Sequence, residues 1–242
     1  MSSIETIALL DTKVEFMDSL SVIADMGCGK GADSAAWADR LDSNGRPRKL
    51  FIFAVDKVLQ LDNHNRRPNL RPVKEDFSHT TIAKNKVDVL WAYNSFQYAT
   101  DPVKTLKHWH DIMSLNGLLY IAIPQSNYID DLSRWQMINQ NGCFWPHNIV
   151  SLIYLLAACG FDCREGHFKQ RRHENMIHLC VYKSNHKPMN LESASLYLLD
   201  EMKLLPHTIS KCIEKYGSIR HEFLQLEWLD GTISDLAIES IP

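Results

Sequence analysis

Ala24-Asp25-Met26-Gly27-Cys28-Gly29-Lys30-Gly31 is the stretch that decides the fold. The apolar run over residues 21–25 leads into it as a buried strand, and residues 32–41 follow as an amphipathic helix. Three glycines at such a junction let the backbone bend tightly and approach a ligand without Cβ interference. The helix start beyond them is expected to offer unpaired N–H groups to a carboxylate or phosphate. An ordinary glycine-rich turn would use the same residues, so the spacing has to discriminate. It reads G-x-G-x-G with an acid two positions before the first glycine. Dinucleotide-binding turns favour G-x-G-x-x-G, which argues against an NAD(P)-dependent oxidoreductase. No Gly-Lys-Ser/Thr closes the segment, so it is not a P-loop.

Outward from this turn, short apolar runs alternate with helical stretches. Residues 50–56, 87–91 and 118–123 read as buried parallel strands, residues 70–73 as a weak strand, and residues 102–113 as a helix with Asp101 as its cap and Pro102 in its first turn. Alternation of this kind implies an α/β, doubly wound sheet. Residues 148–159 then read as a buried helix stopped by Gly160. Two further strands, 165–170 and 176–183, flank a polar turn and would close a seven-stranded, Rossmann-like sheet with an antiparallel C-terminal hairpin. The expected organisation is one domain over residues 1–187, with an N-terminal helix and an aromatic-rich lid insertion at 125–147. A helical C-terminal extension, 188–242, follows the breaker Lys187-Pro188.

With these elements in order, the chain resembles the class I S-adenosylmethionine-dependent methyltransferases of small molecules, whose first motif is an acid followed by G-x-G-x-G. The resemblance covers about residues 20 to 185. It implies S-adenosyl-L-methionine as cofactor, lying against Asp25, Gly27, Cys28, Gly29 and Gly31. Asp56, which ends the strand Phe51-Ile52-Phe53-Ala54-Val55, would hold the ribose hydroxyls with Lys57 beside it. Asp76 would accept from the adenine amino group, and Phe77 would contact the ring. Val87 to Tyr98 resembles the family's fourth-strand motif, and the resemblance counts Asn94 inside it among the cofactor-binding residues. Each has a plainer reading: Asp56 as a helix cap, and Asp76-Phe77 as part of a solvated loop.

Composition narrows the acceptor. The formal charge is −3 over 242 residues, which gives no broad electrostatic attraction for nucleic acid. Base-amine methyltransferases carry Asn/Asp-Pro-Pro-Tyr/Phe after the fourth strand, where this chain has Tyr93-Asn94-Ser95-Phe96, and the Pro-Cys of cytosine-C5 enzymes is absent. A small-molecule acceptor is therefore expected, not nucleic acid. The basic run Lys169-Gln170-Arg171-Arg172-His173 reads as a solvated turn. Residues 149–161, the longest strongly apolar stretch, are fewer than the roughly 20 needed to span a bilayer, so no membrane span is expected. No secretory leader is evident, and the six cysteines lack zinc spacing, which suits buried thiols in a cytoplasmic protein with no metal.

Specificity is expected in the insertion, where Tyr128, Trp135, Phe144 and Trp145 could wall a small organic or sugar-like acceptor. A packed lid without substrate contact would use the same aromatics. His147 is the candidate general base, because imidazole titrates near neutrality; a capping or core histidine is the plainer reading. The expected reaction is methyl transfer to oxygen or nitrogen. In the extension, Leu196, Leu199, Met202 and Leu205, then Ile219, Phe223, Leu226 and Trp228, recur every three or four residues. Such a stripe packs on the parent domain or forms a homodimer or protein-partner contact through residues 190–242. The competing functional class is a noncatalytic binding protein on the same scaffold, acting through that tail.

Overall fold

A computed structural model describes residues 3–7, 21–42, 44–124, 148–170 and 176–217. The 125–147 insertion with His147, the 171–175 turn and the tail beyond residue 217 therefore lie outside the described residues. Seven strands form one sheet: β1 (Ser21–Met26), β2 (Leu50–Val55), β3 (Leu70–Val73), β4 (Val87–Tyr93), β5 (Met113–Pro124), β6 (Phe161–Gln170) and β7 (Met176–Lys183). Their order is β3-β2-β1-β4-β5-β7-β6. β7 runs antiparallel to β5 and β6, and every other pairing is parallel. The expected doubly wound sheet with its antiparallel hairpin is what forms.

Helix α1 (Ala32–Ala38) follows β1, α2 (Pro102–Ile112) follows β4, and α3 (Ile149–Ala158) precedes β6. Local chemistry sets their starts. The Asp101 carboxylate accepts from the Lys104 amide, and Asn148 forms a reciprocal capping box with Ser151. α1 ends three residues earlier than the pattern suggests. The chain leaves it toward an isolated bridge between Leu41 and Pro47, while Asp39 pairs with Arg67.

Alternating strand residues build two apolar layers. Ile23, Ile52, Ala54, Trp91 and Tyr120 pack under α1 with Trp37 and Ile7. On the opposite face Met26, Leu90, Ile121 and Val181 meet α2 and α3. Trp37, Trp91 and Trp109 are wholly buried, each removing from water enough apolar surface to contribute on the order of 2 to 3 kcal/mol before entropy is counted.

The described part of the extension joins this second layer. α4 (Leu196–Glu201), α5 (His207–Tyr216) and the link between them bury Leu199, Leu205, Ile209 and Ile213 in the parent core, and the Cys163 amide donates to the Leu204 carbonyl. Of the described part of the stripe, Leu199 and Leu205 are buried and Leu196 and Met202 are partly buried against that core, so it packs on the parent fold. Residues on both sides of Lys187-Pro188 belong to one apolar cluster.

Candidate functional site

Sequence order runs from β1 outward through β2 and β3 on one side and through β4 and β5 on the other. The carboxyl ends of β1 and β4 therefore flank the topological switch point, where open α/β sheets bind ligands. The glycine turn leaves β1 at this place and Asn94 leaves β4.

Accounting for the loop's backbone donors changes the chemistry expected of it. Gly27 and Cys28 both donate to the Val55 carbonyl, Gly31 donates to the Cys28 carbonyl, and Gly29 donates to Asp56 Oδ2 at 2.9 Å. The amides of Gly27, Cys28, Gly29 and Gly31 are thus engaged within the protein, and the turn itself offers fewer N–H groups to an anion than its glycine spacing suggests.

The three glycines serve different ends. A Cβ on Gly27, which has φ +83°, would stand 2.4 Å from the Ser95 Cβ, so the turn closes directly on the end of β4. A Cβ on Gly29, at φ +52°, would meet no atom within 4 Å. Space beside Gly29 is open to a ligand, whereas Gly27 is spent on packing.

Asp25 is 2 % exposed, and its Oδ2 accepts from the Ser34 hydroxyl at 2.5 Å. It ties the end of β1 to the first turn of α1. Burial, reinforced by the nearby Asp33 and Asp56 charges, pushes its pKa up to about 8, although the Ser34 hydrogen bonds oppose the shift. An acid raised in the folded state holds a proton that the unfolded chain has lost between about pH 4 and pH 8, so its contribution to stability falls as pH rises through that window. Asp25→Asn, neutral at every pH, is expected to flatten the decline. Urea midpoints of both proteins at pH 5 and pH 8 measure this, and equal slopes would refute it.

Asp56 closes the loop from β2. Its Oδ1 accepts from the Val58 amide at 2.9 Å and more weakly from Leu59 at 3.4 Å, while Oδ2 holds Gly29. A carboxylate has about four acceptor positions, so capacity remains for a ligand hydroxyl. Next along the edge, the Lys57 ammonium stands 4.0 Å from Asp76 Oδ2, and Asp76 Oδ1 accepts from the Ser78 amide. Burial raises the Asp76 pKa, but the Ser78 hydrogen bonds and the His79 and Lys57 charges outweigh it and hold the carboxyl below its ordinary value. Half-buried Phe77 lies 6.0 Å from the Trp109 ring, and its carbonyl accepts from the Trp109 indole. Cys28 is buried, which raises its thiol pKa and leaves it un-ionised.

The expected residues thus line one edge: Asp76 and Phe77 after β3, Asp56 and Lys57 after β2, the glycine turn after β1, Asn94 after β4. Four residues that the sequence reading passed over also belong to this region. Ser34 holds Asp25, Asp33 accepts from the Trp91 indole, and Ser95 and Gln97 are both 3 % exposed behind Asn94. Ser95 and Gln97 stood within the quoted fourth-strand motif; Ser34 and Asp33 carried no signal beyond their place in the first turn of a helix.

An aromatic face adjoins the site on the α1 side. Trp91 stacks between Tyr93 and Tyr120 at ring separations of 5.8 and 4.3 Å, and the Tyr120 hydroxyl pairs with His178 Nδ1 at 2.7 Å. Away from the switch point, Arg164, Lys183 and Lys203 line a cavity of about 290 Å³ at the amino end of β5. Arg164 is engaged by Asp162 there, and Lys183 by Asn85 and the Met113 carbonyl. Among the described residues no three His, Cys, Asp or Glu side chains group to hold a metal, and no helix is long and apolar enough to cross a membrane.

Comparison with known proteins bears on this geometry. Residues 8–165 match the family described as a methyltransferase domain. A curated relative, malonyl-[acyl-carrier protein] O-methyltransferase 2 of Coxiella burnetii, is 24% identical over 159 residues, which are 64% of this chain and 59% of the relative. The matched region therefore spans less than two thirds of that relative's length. Among solved structures, phosphoethanolamine N-methyltransferase 2 of Haemonchus contortus, in complex with S-adenosyl-L-methionine, superposes with a TM-score of 0.60. The identity is 10%, covering 75% of this chain and 53% of that one. The [4+2]-cyclase SpnF superposes with a TM-score of 0.57 at 14% identity, over 75% and 80% of the two chains. At such identities the superpositions establish the fold.

Proposed function

Because the chain belongs to the class I S-adenosylmethionine-dependent methyltransferase family, we propose that it transfers a methyl group to oxygen or nitrogen of a small-molecule or sugar-like acceptor. The observation that carries this reading is the join of Asp56 to Gly29 at 2.9 Å. It sets a carboxylate with spare acceptor capacity beside open space at the switch point. A nucleoside with two ribose hydroxyls and a cationic sulfonium fits that arrangement, and the G-x-G-x-G spacing, which is neither a dinucleotide turn nor a P-loop, disfavours a phosphate-bearing cofactor.

When bound, the cofactor supplies an electrophilic methyl group, whose transfer leaves the bonding electron pair on sulfur. The work of this chain is positional. Asp56 takes the ribose hydroxyls, and Lys57 and Asp76 bracket the adenine end, with Phe77 against the ring. Gly27, Cys28, Gly29 and Gly31 shape the turn, and Asp25 fixes it by holding Ser34. Orientation of this kind can contribute roughly 7 to 11 kcal/mol toward the barrier. His147 remains the proposed base for a hydroxyl or ammonium acceptor. The Coxiella relative's name, an O-methyltransferase of a malonyl group, supports oxygen as the methylated atom.

Residues 1–187 are proposed as the catalytic unit, with 188–242 as a helical C-terminal extension. A noncatalytic role through the tail is the competing reading. The burial of Leu199, Leu205 and Ile213 in the parent core weighs against it for the described half.

Calorimetric titration with S-adenosylmethionine and S-adenosylhomocysteine tests the proposal, followed by turnover to S-adenosylhomocysteine across oxygen and nitrogen acceptors. Binding with turnover is expected. Binding without turnover on any acceptor, together with a tail-dependent complex, would favour the competing reading, and no binding would remove the methyltransferase proposal.

A further inference from the structure

The cofactor reading assigns the edge in a direction. Asp76 after β3, Asp56 after β2 and the glycine turn after β1 follow one another toward β4, so the reactive end of an extended donor arrives at Asn94. Whatever Asn94 presents there faces the junction of donor and acceptor.

Asn94 is exposed and sits in the left-handed region at φ 54°, its amide donating to the Ala122 carbonyl at 2.8 Å. Asparagine is among the few residues that tolerate this conformation. Behind it, the buried Gln97 carboxamide donates from Nε2 to Asn94 Oδ1 at 2.7 Å, while Gln97 Oε1 is buried without a hydrogen-bond partner. The reverse pairing of the two amides would leave both Gln97 N–H donors unclaimed by Asn94. Orphaned buried N–H groups are rarer than under-satisfied carbonyl oxygens, so the observed orientation is favoured. With Oδ1 turned inward to Gln97, the Asn94 side chain directs its Nδ2 donors outward. The neighbouring Ser95 hydroxyl, also unpartnered, lies under Gly27 and locks the same turn to the donor loop.

Resting on the methyltransferase reading above, we propose that Asn94 binds a carboxylate or carbonyl oxygen of the acceptor through its Nδ2 group, and that Gln97 is the positioning residue that turns this donor outward. The acceptor is then an oxo compound or acid. The methionyl carboxylate of the donor has the same chemistry, and the experiment separates the two.

Protein saturated with S-adenosylhomocysteine is titrated with malonate and, as a probe of equal length that offers donors, 1,3-diaminopropane, by ligand-observed NMR. Malonate is expected to bind and the diamine to bind at least tenfold more weakly. Asn94→Gly, which suits the φ, and Gln97→Leu are each expected to weaken malonate about tenfold, the scale of a hydrogen bond to a charged group. The double variant should lose little more than either single one, a non-additivity that a merely structural Gln97 would not produce. No malonate binding, equal diamine binding or full additivity overturns the proposal. It is also overturned if Asn94→Gly leaves malonate unchanged but weakens S-adenosylhomocysteine relative to 5′-methylthioadenosine, which lacks the amino-acid carboxylate. If Gln97→Leu does not fold, Asn94→Gly decides alone. Failure of wild type to bind S-adenosylhomocysteine would sink the family-based reading itself; S-adenosylhomocysteine binding without malonate binding sinks only this one.

Discussion

Asp56→Ala is expected to lower affinity for S-adenosylmethionine by roughly 100-fold or more, the scale of two charge-assisted hydrogen bonds to ribose hydroxyls. The loss has a second component, because the same carboxylate orders the loop. Gly29 and Val58 each donate to it at 2.9 Å, and both amides would be released. These contacts are exposed, so the loss should appear mainly in binding. Asp56→Asn separates the components: its carbonyl oxygen can still accept from one amide, but the charge is gone and one acceptor has become a donor. Calorimetry on the three proteins, with thermal melts as a folding control, is the measurement. Undiminished binding by Asp56→Ala would remove Asp56 from the site.

The second large effect is a contrast between two glycines. Gly27→Ala must hold a Cβ at φ +83° and 2.4 Å from the Ser95 Cβ, which stands two residues beyond β4, is buried, and has no flexible tip to move aside. Left-handed strain of about 1 to 2 kcal/mol and overpacking of about 1 to 3 kcal/mol both apply, for a total near 2 to 5 kcal/mol. Gly29→Ala carries only the left-handed strain, about 1 to 2 kcal/mol, because its Cβ meets open space. That space is where the cofactor is proposed to lie, so Gly29→Ala is expected to lose at least tenfold in S-adenosylmethionine affinity. Urea midpoints and calorimetric affinities of both variants decide it. A Gly29→Ala protein that binds normally would place the ligand elsewhere.

Much of the fold was legible because its signals are local. Four short apolar runs joined by helices, Pro102 after Asp101, and Gly160 after a buried helix each act within a few residues. The boundaries were less legible. β5 starts at Met113, where residues 118–123 alone were apolar enough to read, because Asn116 at φ 61° and Gly117 interrupt the pattern. β6 starts at Phe161, before the alternation that marked residues 165–170.

The glycine turn shows where sequence reasoning stops. Spacing identified the loop and separated it from dinucleotide and P-loop turns, yet the destination of its amides depended on Val55 and Asp56, which stand 27 to 28 residues away. The resemblance puts Asp25 against the cofactor; folding buries it against Ser34, and desolvation raises its pKa to about 8.

By itself, then, the sequence determined the class of sheet, the strand ends that carry the acids, and the exclusion of nucleotide-phosphate turns, since periodicity and glycine spacing are properties of neighbours along the chain. Tertiary structure alone decided which donors the site can offer. A hydrogen bond from Gln97 turns the Asn94 N–H groups outward, and Val55 and Asp56 take the amides of Gly27, Cys28 and Gly29. Hydrogen-bonding capacity is consumed by whatever lies within about 3 Å in space, a distance that sequence separation does not encode.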